Sequence, residues 1–302
     1  MKIPFVYHAS YSQLALPANH RFPTSKYQNL YEHALQHQLV CPTMQHQADA
    51  IKVNELKQIH HADYVDAFIN GTIDGKAIRR IGFPWSEQLV TRTLHAINGT
   101  KLTCELALAH QIAVHFTGGY HHAHHDFGSG FCIFNDLVIA ADHLLKQGKL
   151  DKVLIFDCDV HQGDGTATLT THRQDIISCS VHCKQNFPFR KAASHYDIEL
   201  DKGCNDEEYL GYIETIFNYL VQLHKPDLVI YDAGVDVHQD DDLGYFELTT
   251  QGILARDKLI LSIAKHQQIP IAAVIGGGYS KQAALLTERH SQLLIAAKQI
   301  WV

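Results

Sequence analysis

The sequence predicts an α/β fold in which helices flank a mostly parallel central sheet. Three observations support this prediction: short apolar runs alternate with longer amphipathic segments, the runs carry few charges, and no repeat or linker divides the 302 residues. Parallel strands that are covered on both faces are typically short, uninterrupted apolar runs. Their alternation with helices is typical of a parallel sheet. We therefore predict a single domain over residues 1–302.

The predicted strands are short and rich in apolar or β-branched residues: Ile112–Phe116, Val153–Phe156, Ile176–Val181, Leu228–Tyr231 and Ile271–Ile275, with a further one at Ile3–Tyr7. The predicted helices cover about residues 27–38, 61–69, 88–109, 135–147, 207–223, 249–266 and 281–299. In the helix over 135–147, Leu137, Ala141 and Leu144 recur at the spacing of one helical face.

The composition excludes several classes of protein. Hydrophobic residues make up 46% and charged residues 19%, which is compatible with a sizeable buried core. The formal net charge of -7 lacks the basic footprint of a protein that binds nucleic acid directly. The first ten residues do not resemble a signal peptide, and no apolar run approaches the ~18 residues of a membrane span. The 7 scattered cysteines favour free thiols and a cytoplasmic location.

Each predicted strand of the second half is followed directly by a polar or glycine-rich segment. These segments are Gly118–His122, Asp157–Gly165, His182, Asp232–Asp236 and Gly276–Tyr279. Ligands of open α/β sheets bind outside the carboxyl ends of the strands. We therefore expect the five segments to meet at one edge of the sheet.

The segment after the second of these strands has the donor types of a metal site. In an extended chain, Asp157, Asp159 and His161 project from one face. Carboxylates with an imidazole suit zinc, although similar carboxylates bind magnesium in phosphoryl-transfer sites or cap helices. A catalytic zinc site needs about three protein ligands. Asp236 is the natural third ligand. The alternative is that Asp236 is a solvated carboxylate within the acidic run over 236–242 and binds no metal.

Two further segments carry candidate acid–base groups. His121 and His122 follow two glycines and are either part of a histidine-rich surface loop or neutral bases beside a metal-bound water. Asp157 and Asp164 are available to fix the tautomers of these imidazoles. Tyr279 follows three glycines and is either a buried turn residue or a donor to an oxyanion. A phosphate-binding P-loop is disfavoured because the required lysine is missing.

Together, these motifs resemble the histone deacetylase superfamily, which includes the acetylpolyamine amidohydrolases. The matching pieces occur in the family's order: Gly119–Ala123, Ser129–Cys132, Asn135-Asp136, Asp157–Gly165, Asp232–Asp236 and Gly276–Tyr279. Arg21-Phe22-Pro23 and Gly82–Trp85 are similar to bacterial relatives of class IV deacetylases, as is Gln162. The acidic residue that grips the substrate backbone in many relatives is not matched in this sequence, and the 70–86 loop leaves its position open.

The resemblance implies a zinc-dependent hydrolase that removes an acyl group from a lysine ε-amine of a protein or peptide. A small acylated amine such as an acetylpolyamine is the alternative substrate. The resemblance implies that Asp159, His161 and Asp236 bind zinc. It implies that His122, with Asp164, is the general base, and that His121, with Asp157, is a second catalytic imidazole. Tyr279 would bind the oxyanion, and the substrate channel would be lined by Phe131, Phe187 and Gly130. Ferrous iron is the alternative metal in the cell. A structural potassium ion is implied near the Asp157–His161 backbone and Ser180.

Two other functions compete with this interpretation. A ureohydrolase of the arginase type would need a second aspartate cluster for two manganese ions, whereas the segment Asp232–Asp236 supplies one clear ligand. A protein that only binds an acylated ligand would not need a complete catalytic set. The presence of His122, Asp164 and Tyr279 together disfavours that alternative.

Overall fold

The computed structural model describes residues 2–302, and Met1, the first residue of the predicted domain, lies outside the described residues. The centre of the fold is a parallel sheet with the strand order β2-β1-β3-β8-β7-β4-β5-β6. The strands are β1 (Phe5–Val6), β2 (Gln45–His46), β3 (Ile112–His115), β4 (Val153–Asp157), β5 (Ile176–Cys183), β6 (Tyr196–Leu200), β7 (Leu228–Asp232) and β8 (Ile271–Val274). The predicted fold class is confirmed.

Helices flank this sheet and connect its strands. They are α1 (Lys26–Gln36), α2 (Val53–Leu56), α3 (Ala62–Ile69), α4 (Gly75–Ile81), α5 (Glu87–His110), α6 (Asp136–Lys146), α7 (Asp164–Thr170), α8 (Asp206–His224), α9 (Thr250–His266) and α10 (Ala283–Trp301). Every helix and strand that the sequence predicts is present within a few residues. Within residues 2–302, no helix combines the length and the apolar character that crossing a membrane requires.

Local capping explains where three of the long helices begin. The side chains of Asn135, Asn205 and Thr249 each accept a hydrogen bond from a backbone N–H in the first turn of α6, α8 and α9. Such caps satisfy donors that a helix leaves unpaired at its N-terminus. In α8, three acidic residues over 206–208 also occupy the first turn, where the helix dipole favours negative charge.

The core lies on both faces of the sheet because side chains of a strand alternate between them. Leu154 and Phe156 of β4 belong to the larger apolar cluster, whereas Val153 and Ile155 belong to the smaller cluster that includes Leu137 of α6. All five residues of β4 are buried. Because β4 is covered on both faces, its sequence is an uninterrupted apolar run, and its polar residue stands at the end of the strand.

The central strands end side by side, and the fold thereby positions the polar segments. Asp157 at the end of β4 pairs in register with Asp232 at the end of β7. Beneath them, the fully buried guanidinium of Arg256 donates to the carbonyl oxygens of Gly234 at 2.6 Å and Ala233 at 3.2 Å. This buried arginine therefore holds the chain just after β7 at the sheet edge.

Candidate metal and acid–base site

Four of the five polar segments meet at the carboxyl edge of the sheet, as expected. The cavity there is lined by residues of the segments after β3, β4 and β8, and the β7 segment supplies Asp236 beneath it. The fifth prediction, His182, is different: β5 extends to Cys183, so this histidine lies inside the strand. Its Nδ1 is 3.0 Å from Oγ of Ser180, and it does not line the cavity.

Asp159, His161 and Asp236 form a compact group of metal-ligating type. One ligand atom from each lies within 4.8 Å of the others. Nδ1 of His161 is 2.9 Å from Oδ1 of Asp159 and 3.2 Å from Oδ2 of Asp236. Asp236 is fully buried, so the alternative of a solvated surface carboxylate is wrong. Two carboxylates and one imidazole nitrogen that converge in this way fit a zinc ion with an open position.

Backbone N–H groups hold these carboxylates in place. The N–H groups of His161 and Gly277 donate to the two oxygens of Asp159 at 2.9 and 3.0 Å. The N–H of Val160 donates to Oδ1 of Asp236 at 2.9 Å. A side chain at Gly277 would collide with the carboxylates of both aspartates. The glycine therefore allows the β8 segment to approach the metal group closely.

The electrostatics of the group favour a cation. Burial and the charge of Asp159 raise the pKa of Asp236 to about 6. Burial lowers the pKa of His161, but its contacts with Asp159 and Asp236 outweigh burial and raise the pKa to about 10. Without a metal, a proton on His161 balances part of the buried negative charge. A divalent cation would replace this proton and bind the neutral ring.

His122 lies beside this group and is supported by Asp164. Its Nδ1 is 2.7 Å from Oδ1 of Asp164, and its ring is buried. Burial, together with the nearby His121, lowers the pKa of His122 to about 4. Burial opposes ionisation of Asp164, yet contacts with His122 and His124 hold the pKa of this carboxyl below its usual range. His122 is thus a neutral imidazole whose Nδ1 side faces a carboxylate.

His121 forms the second imidazole–carboxylate pair. Its Nδ1 lies 2.7 Å from Oδ2 of Asp157, and its Nε2 lies 3.9 Å from Oδ1 of Asp159. Burial lowers the pKa of His121, but the charges of Asp157 and Asp159 outweigh burial and raise it well above its ordinary value. The two adjacent histidines therefore differ in charge at neutral pH, because their surroundings contain different numbers of carboxylates.

Tyr279 faces the same cavity from the β8 segment. Its backbone N–H donates to Oδ2 of Asp241 at 2.7 Å, which fixes the start of the loop after the glycines. Burial raises the pKa of Tyr279 well above 10, so its hydroxyl remains a hydrogen-bond donor at neutral pH. Since Tyr279, His122 and His161 line one cavity, a single small group bound there could contact all three.

A wider opening of about 570 Å³ leads from this cavity to the surface. Phe131 and Phe187 line it. The ring centroids of Phe187 and His122 are 4.8 Å apart, and the two rings are nearly perpendicular. Gly130 has a positive φ of 52°, and a Cβ at this position would lie 2.7 Å from the ring of His122. Any side chain at Gly130 would therefore narrow the passage to the imidazole.

Several residues of the site were missed by sequence reasoning. Lys26 is 3% exposed, and its Nζ donates to the carbonyl oxygens of Gly276 at 3.1 Å and Gly278 at 3.4 Å. His124 lies with Nε2 3.1 Å from Oδ2 of Asp164. Only the adjacency of His124 to His121 and His122 could have indicated this contact, since the two residues that follow it, His125 and Asp126, are exposed.

The mouth of the opening combines charges of both signs. Arg21, Arg80 and Asp242 line it. The segment 70–86, expected to be a loop, contains the helix α4 (Gly75–Ile81), which Asp74 caps through the N–H groups of its first turn. Arg80 and Ile81 at the end of this helix and Gly82 after it contribute to the mouth. The acidic run after Asp236 therefore reaches the rim through Asp242.

Comparisons with known proteins agree on one family. The model of the histone deacetylase domain matches residues 20–293. An uncharacterized protein of Picosynechococcus sp. is 42% identical over 301 residues, and the match covers 100% of both chains. The solved structure described as the HDA15 HD domain superposes with a TM-score of 0.81 at 17% identity, covering 98% of this chain and 92% of that chain. That likeness concerns the fold.

Two relatives carry functional names. The acetoin utilization protein AcuC of Staphylococcus aureus is 27% identical over 300 residues, covering 92% of this chain and 77% of that protein. Histone deacetylase 2 of Arabidopsis thaliana is 29% identical over 191 residues, and here the match covers 62% of this chain and 49% of the plant protein.

Proposed function

The chain belongs to the histone deacetylase family, and from this premise we propose that it is a zinc-dependent hydrolase that deacylates the ε-amine of lysine. The comparisons support an amide hydrolase of the deacetylase family. One observation supports metal-dependent hydrolysis: the metal-ligating group, the His122–Asp164 pair and Tyr279 lie together at one cavity of the sheet edge.

Asp159, His161 and Asp236 would hold the metal, which is zinc or, in the cell, ferrous iron. A bound zinc ion lowers the pKa of a coordinated water to about 7 and polarises the carbonyl that is attacked. Imidazole and carboxylate together suit either metal. The implied structural potassium ion would lie near the Asp157–His161 backbone, where Ser180 of β5 pairs in register with Asp157.

In the proposed mechanism, His122 accepts the proton of the attacking water at Nε2. Its other nitrogen faces Asp164 at 2.7 Å, so this carboxylate fixes the tautomer and stabilises the imidazolium that forms. The imidazolium then donates the same proton to the departing amine. His121, held by Asp157 at 2.7 Å, adds a positive charge beside the developing oxyanion.

Tyr279 would donate its hydroxyl to the oxygen of the tetrahedral intermediate. Its raised pKa keeps the proton on the hydroxyl, and hydrogen bonding of its backbone to Asp241 limits movement of the loop. Such a donor stabilises the transition state more than the ground state when it points to where charge develops.

The inner part of the opening suits the aliphatic chain of an acyl-lysine. We assign Phe131, Phe187 and Gly130 to the passage for this chain, because two aromatic rings offer apolar contacts and the missing side chain at Gly130 leaves room beside His122. The class IV-like motifs make longer acyl chains worth testing as well. Since all 7 cysteines are free thiols, we also propose a reducing compartment, the cytoplasm.

A small acylated amine such as an acetylpolyamine is the second candidate substrate. Asp242 at the mouth supports it, because a carboxylate there would attract a cationic amine. Arg21 and Arg80 at the same mouth would oppose a polycation and suit a peptide of mixed charge. The balance of these charges favours the acyl-lysine.

Amine release from a panel of substrates tests the proposal. The zinc-loaded protein is incubated with lysine peptides that carry acetyl to myristoyl groups and, separately, with acetylpolyamines. We expect free lysine amine with at least one acyl length. Release only from the polyamines would replace the proposed substrate class, and no release from any of them would contradict the proposed function.

A further inference from the structure

We infer that the mouth of the opening selects acyl-lysines that have a carboxylate close to their main chain, and that Arg21 and Arg80 provide this selection. The inference rests on the proposed function, because it names the substrate class of the same site. When the aliphatic chain occupies the passage along Phe131 and Phe187, the main chain of the substrate lies at the mouth. The carboxylate belongs either to an acidic neighbour in a peptide or to the lysine itself as its α-carboxylate.

The charge at the mouth differs in sign from that of the whole chain. The formal net charge of the chain is -7. Within residues 2–302, three acidic or basic side chains other than histidines line the opening, namely Arg21, Arg80 and Asp242. Two positive charges and one negative charge therefore stand at the entrance of an acidic protein. Such a local excess of positive charge attracts anionic groups to that entrance.

Both arginines at the mouth have a guanidinium that is available to a ligand. Their side chains are exposed, and neither forms an ion pair with a carboxylate among residues 2–302. Arg173, by contrast, lies 2.8 Å from Asp142. The guanidinium of Arg80 lies 4.6 Å from the ring centroid of Phe127, and this contact limits the movement of its long side chain. Each guanidinium can therefore donate two parallel hydrogen bonds to a bound carboxylate.

Hydrogen bonds join the two segments that carry these arginines. Nε2 of His20, the residue before Arg21, lies 2.8 Å from the carbonyl oxygen of Gly82 at the end of α4. The N–H of Phe131 donates to the carbonyl oxygen of Ile81, also at the end of α4, at 2.8 Å. The same helix end thus fixes both arginines relative to the wall of the passage. A carboxylate at the rim would meet them while the acylated chain lies inside.

Asp242 belongs to a different segment, the loop after β7. Its backbone N–H donates to the carbonyl oxygen of Tyr279 at 3.0 Å, which ties this loop to the segment after β8. The carboxylate of Asp242 repels an acidic group of the substrate and weakens the attraction by the arginines. Removal of this charge should therefore have the opposite effect to removal of the arginines.

Paired substrates test the inference on the zinc-loaded full chain. In one pair of peptides, the acyl-lysine stands between two glutamates or between two glutamines. In the other pair, a single acyl-lysine with a blocked α-amine has a free α-carboxylate or an amide. All four carry the acyl group that is released fastest. We expect the acidic member of at least one pair to have a kcat/KM about three- to tenfold higher through a lower KM, since each exposed ion pair typically contributes about two- to fivefold. The pair that responds identifies the source of the carboxylate.

Variants assign the preference to the arginines. The ratio of kcat/KM within the responding pair should fall towards one when Arg21→Gln and Arg80→Gln are combined, and it should rise in Asp242→Asn. Arg79→Gln is the matched control, because Arg79 is an exposed arginine of the same helix that does not line the opening. The control should keep the wild-type ratio. Since both substrates meet the same protein sample, incomplete folding or metal loading of a variant does not change the ratio.

The inference and the proposed function fail in different ways. Equal kcat/KM values within both pairs, faster release from the neutral members, or a preference that persists in the double arginine variant would overturn the inference and leave the proposed function intact. No amine release from any of the four substrates would contradict the proposed function, and the inference would fall with it.

Discussion

Nδ1 of His122 lies 2.7 Å from Oδ1 of Asp164, and both side chains are buried. This contact leaves Nε2 of His122 as the only ring nitrogen that can accept a proton from the cavity. Burial lowers the pKa of His122 to about 4, so the ring is neutral at pH 7. A neutral imidazole with a carboxylate behind it is what a general base requires.

Replacing His122, the proposed general base, should reduce turnover without unfolding the protein. We expect His122→Ala to lower kcat by about 10²-fold or more, since general-base catalysis typically contributes ~10²–10⁴-fold. Amine release by the zinc-loaded variant measures the effect. The control His172→Ala changes an exposed histidine and should retain wild-type turnover. A rate close to that of the wild type in His122→Ala, with metal bound, would remove His122 from the mechanism.

Removal of one hydroxyl group tests the oxyanion donor. Tyr279→Phe keeps the ring that packs near Phe131, at 5.9 Å between ring centroids, and deletes only the donor. We expect kcat to fall by on the order of 10²–10³-fold while the metal content stays the same. Tyr212→Phe, which deletes the hydroxyl of a 47% exposed tyrosine, is the matched control. If both variants turn over equally fast, Tyr279 does not bind the oxyanion.

Metal binding at Asp159, His161 and Asp236 should release a proton. Contacts with the two aspartates raise the pKa of His161 to about 10, so the metal-free ring is protonated at pH 7 and must lose this proton to bind. The affinity should therefore rise by about tenfold per pH unit between pH 6 and pH 8. Below about pH 6 the slope should steepen, because the raised pKa of Asp236 adds a second proton. Zinc titrations by calorimetry in two buffers measure the released protons, and a pH-independent affinity would contradict this account.

The buried pair Arg256–Asp257 should contribute strongly to stability. Both side chains are fully buried, with Nη2 of Arg256 2.9 Å from Oδ1 of Asp257. Arg256→Met leaves Asp257 as an uncompensated buried charge and frees the carbonyl oxygens of Ala233 and Gly234. We expect the free energy of unfolding to fall by about 3–5 kcal/mol, measured by urea denaturation. Arg190→Gln removes an exposed arginine and should change it by less than about 0.5 kcal/mol.

The sequence predicts the central part of this fold well because strands that are buried on both faces are uninterrupted apolar runs. β4 and β7 are fully buried and were predicted to within one residue. The edge strand β6 was missed, since its residues are mostly half-exposed and its sequence includes Asp197 and Glu199. The helix α7 was also missed. Its glycine and threonines are weak helix formers, and tertiary contacts such as the N–H of Thr166 with the carbonyl of His121 support it.

In the site, too, the residues within sequence motifs were predicted, whereas residues brought there by distant parts of the chain were not. The structure places His121 2.7 Å from Asp157 and His122 2.7 Å from Asp164, and the catalytic roles that the resemblance implies for these pairs stay predictions. Lys26 was unpredictable, since a lysine at the start of an amphipathic helix is ordinarily exposed. Asp241 belongs to an acidic run that looks solvated, yet it is only partly exposed, and desolvation with the charge of Asp236 raises its pKa to about 7. One contact explains its position, because the N–H of Tyr279 in the folded loop after β8 donates to Oδ2 of Asp241.

Amine release before and after metal removal tests the central claim most directly. The full-length protein is assayed on an acyl-lysine peptide as prepared, after chelation, and after zinc is restored, with Asp236→Ala treated in parallel. We predict that chelation abolishes amine release, that zinc restores it in the wild type, and that Asp236→Ala remains inactive at the same zinc concentration. Undiminished amine release by the metal-free wild-type protein would contradict metal-dependent hydrolysis at this site.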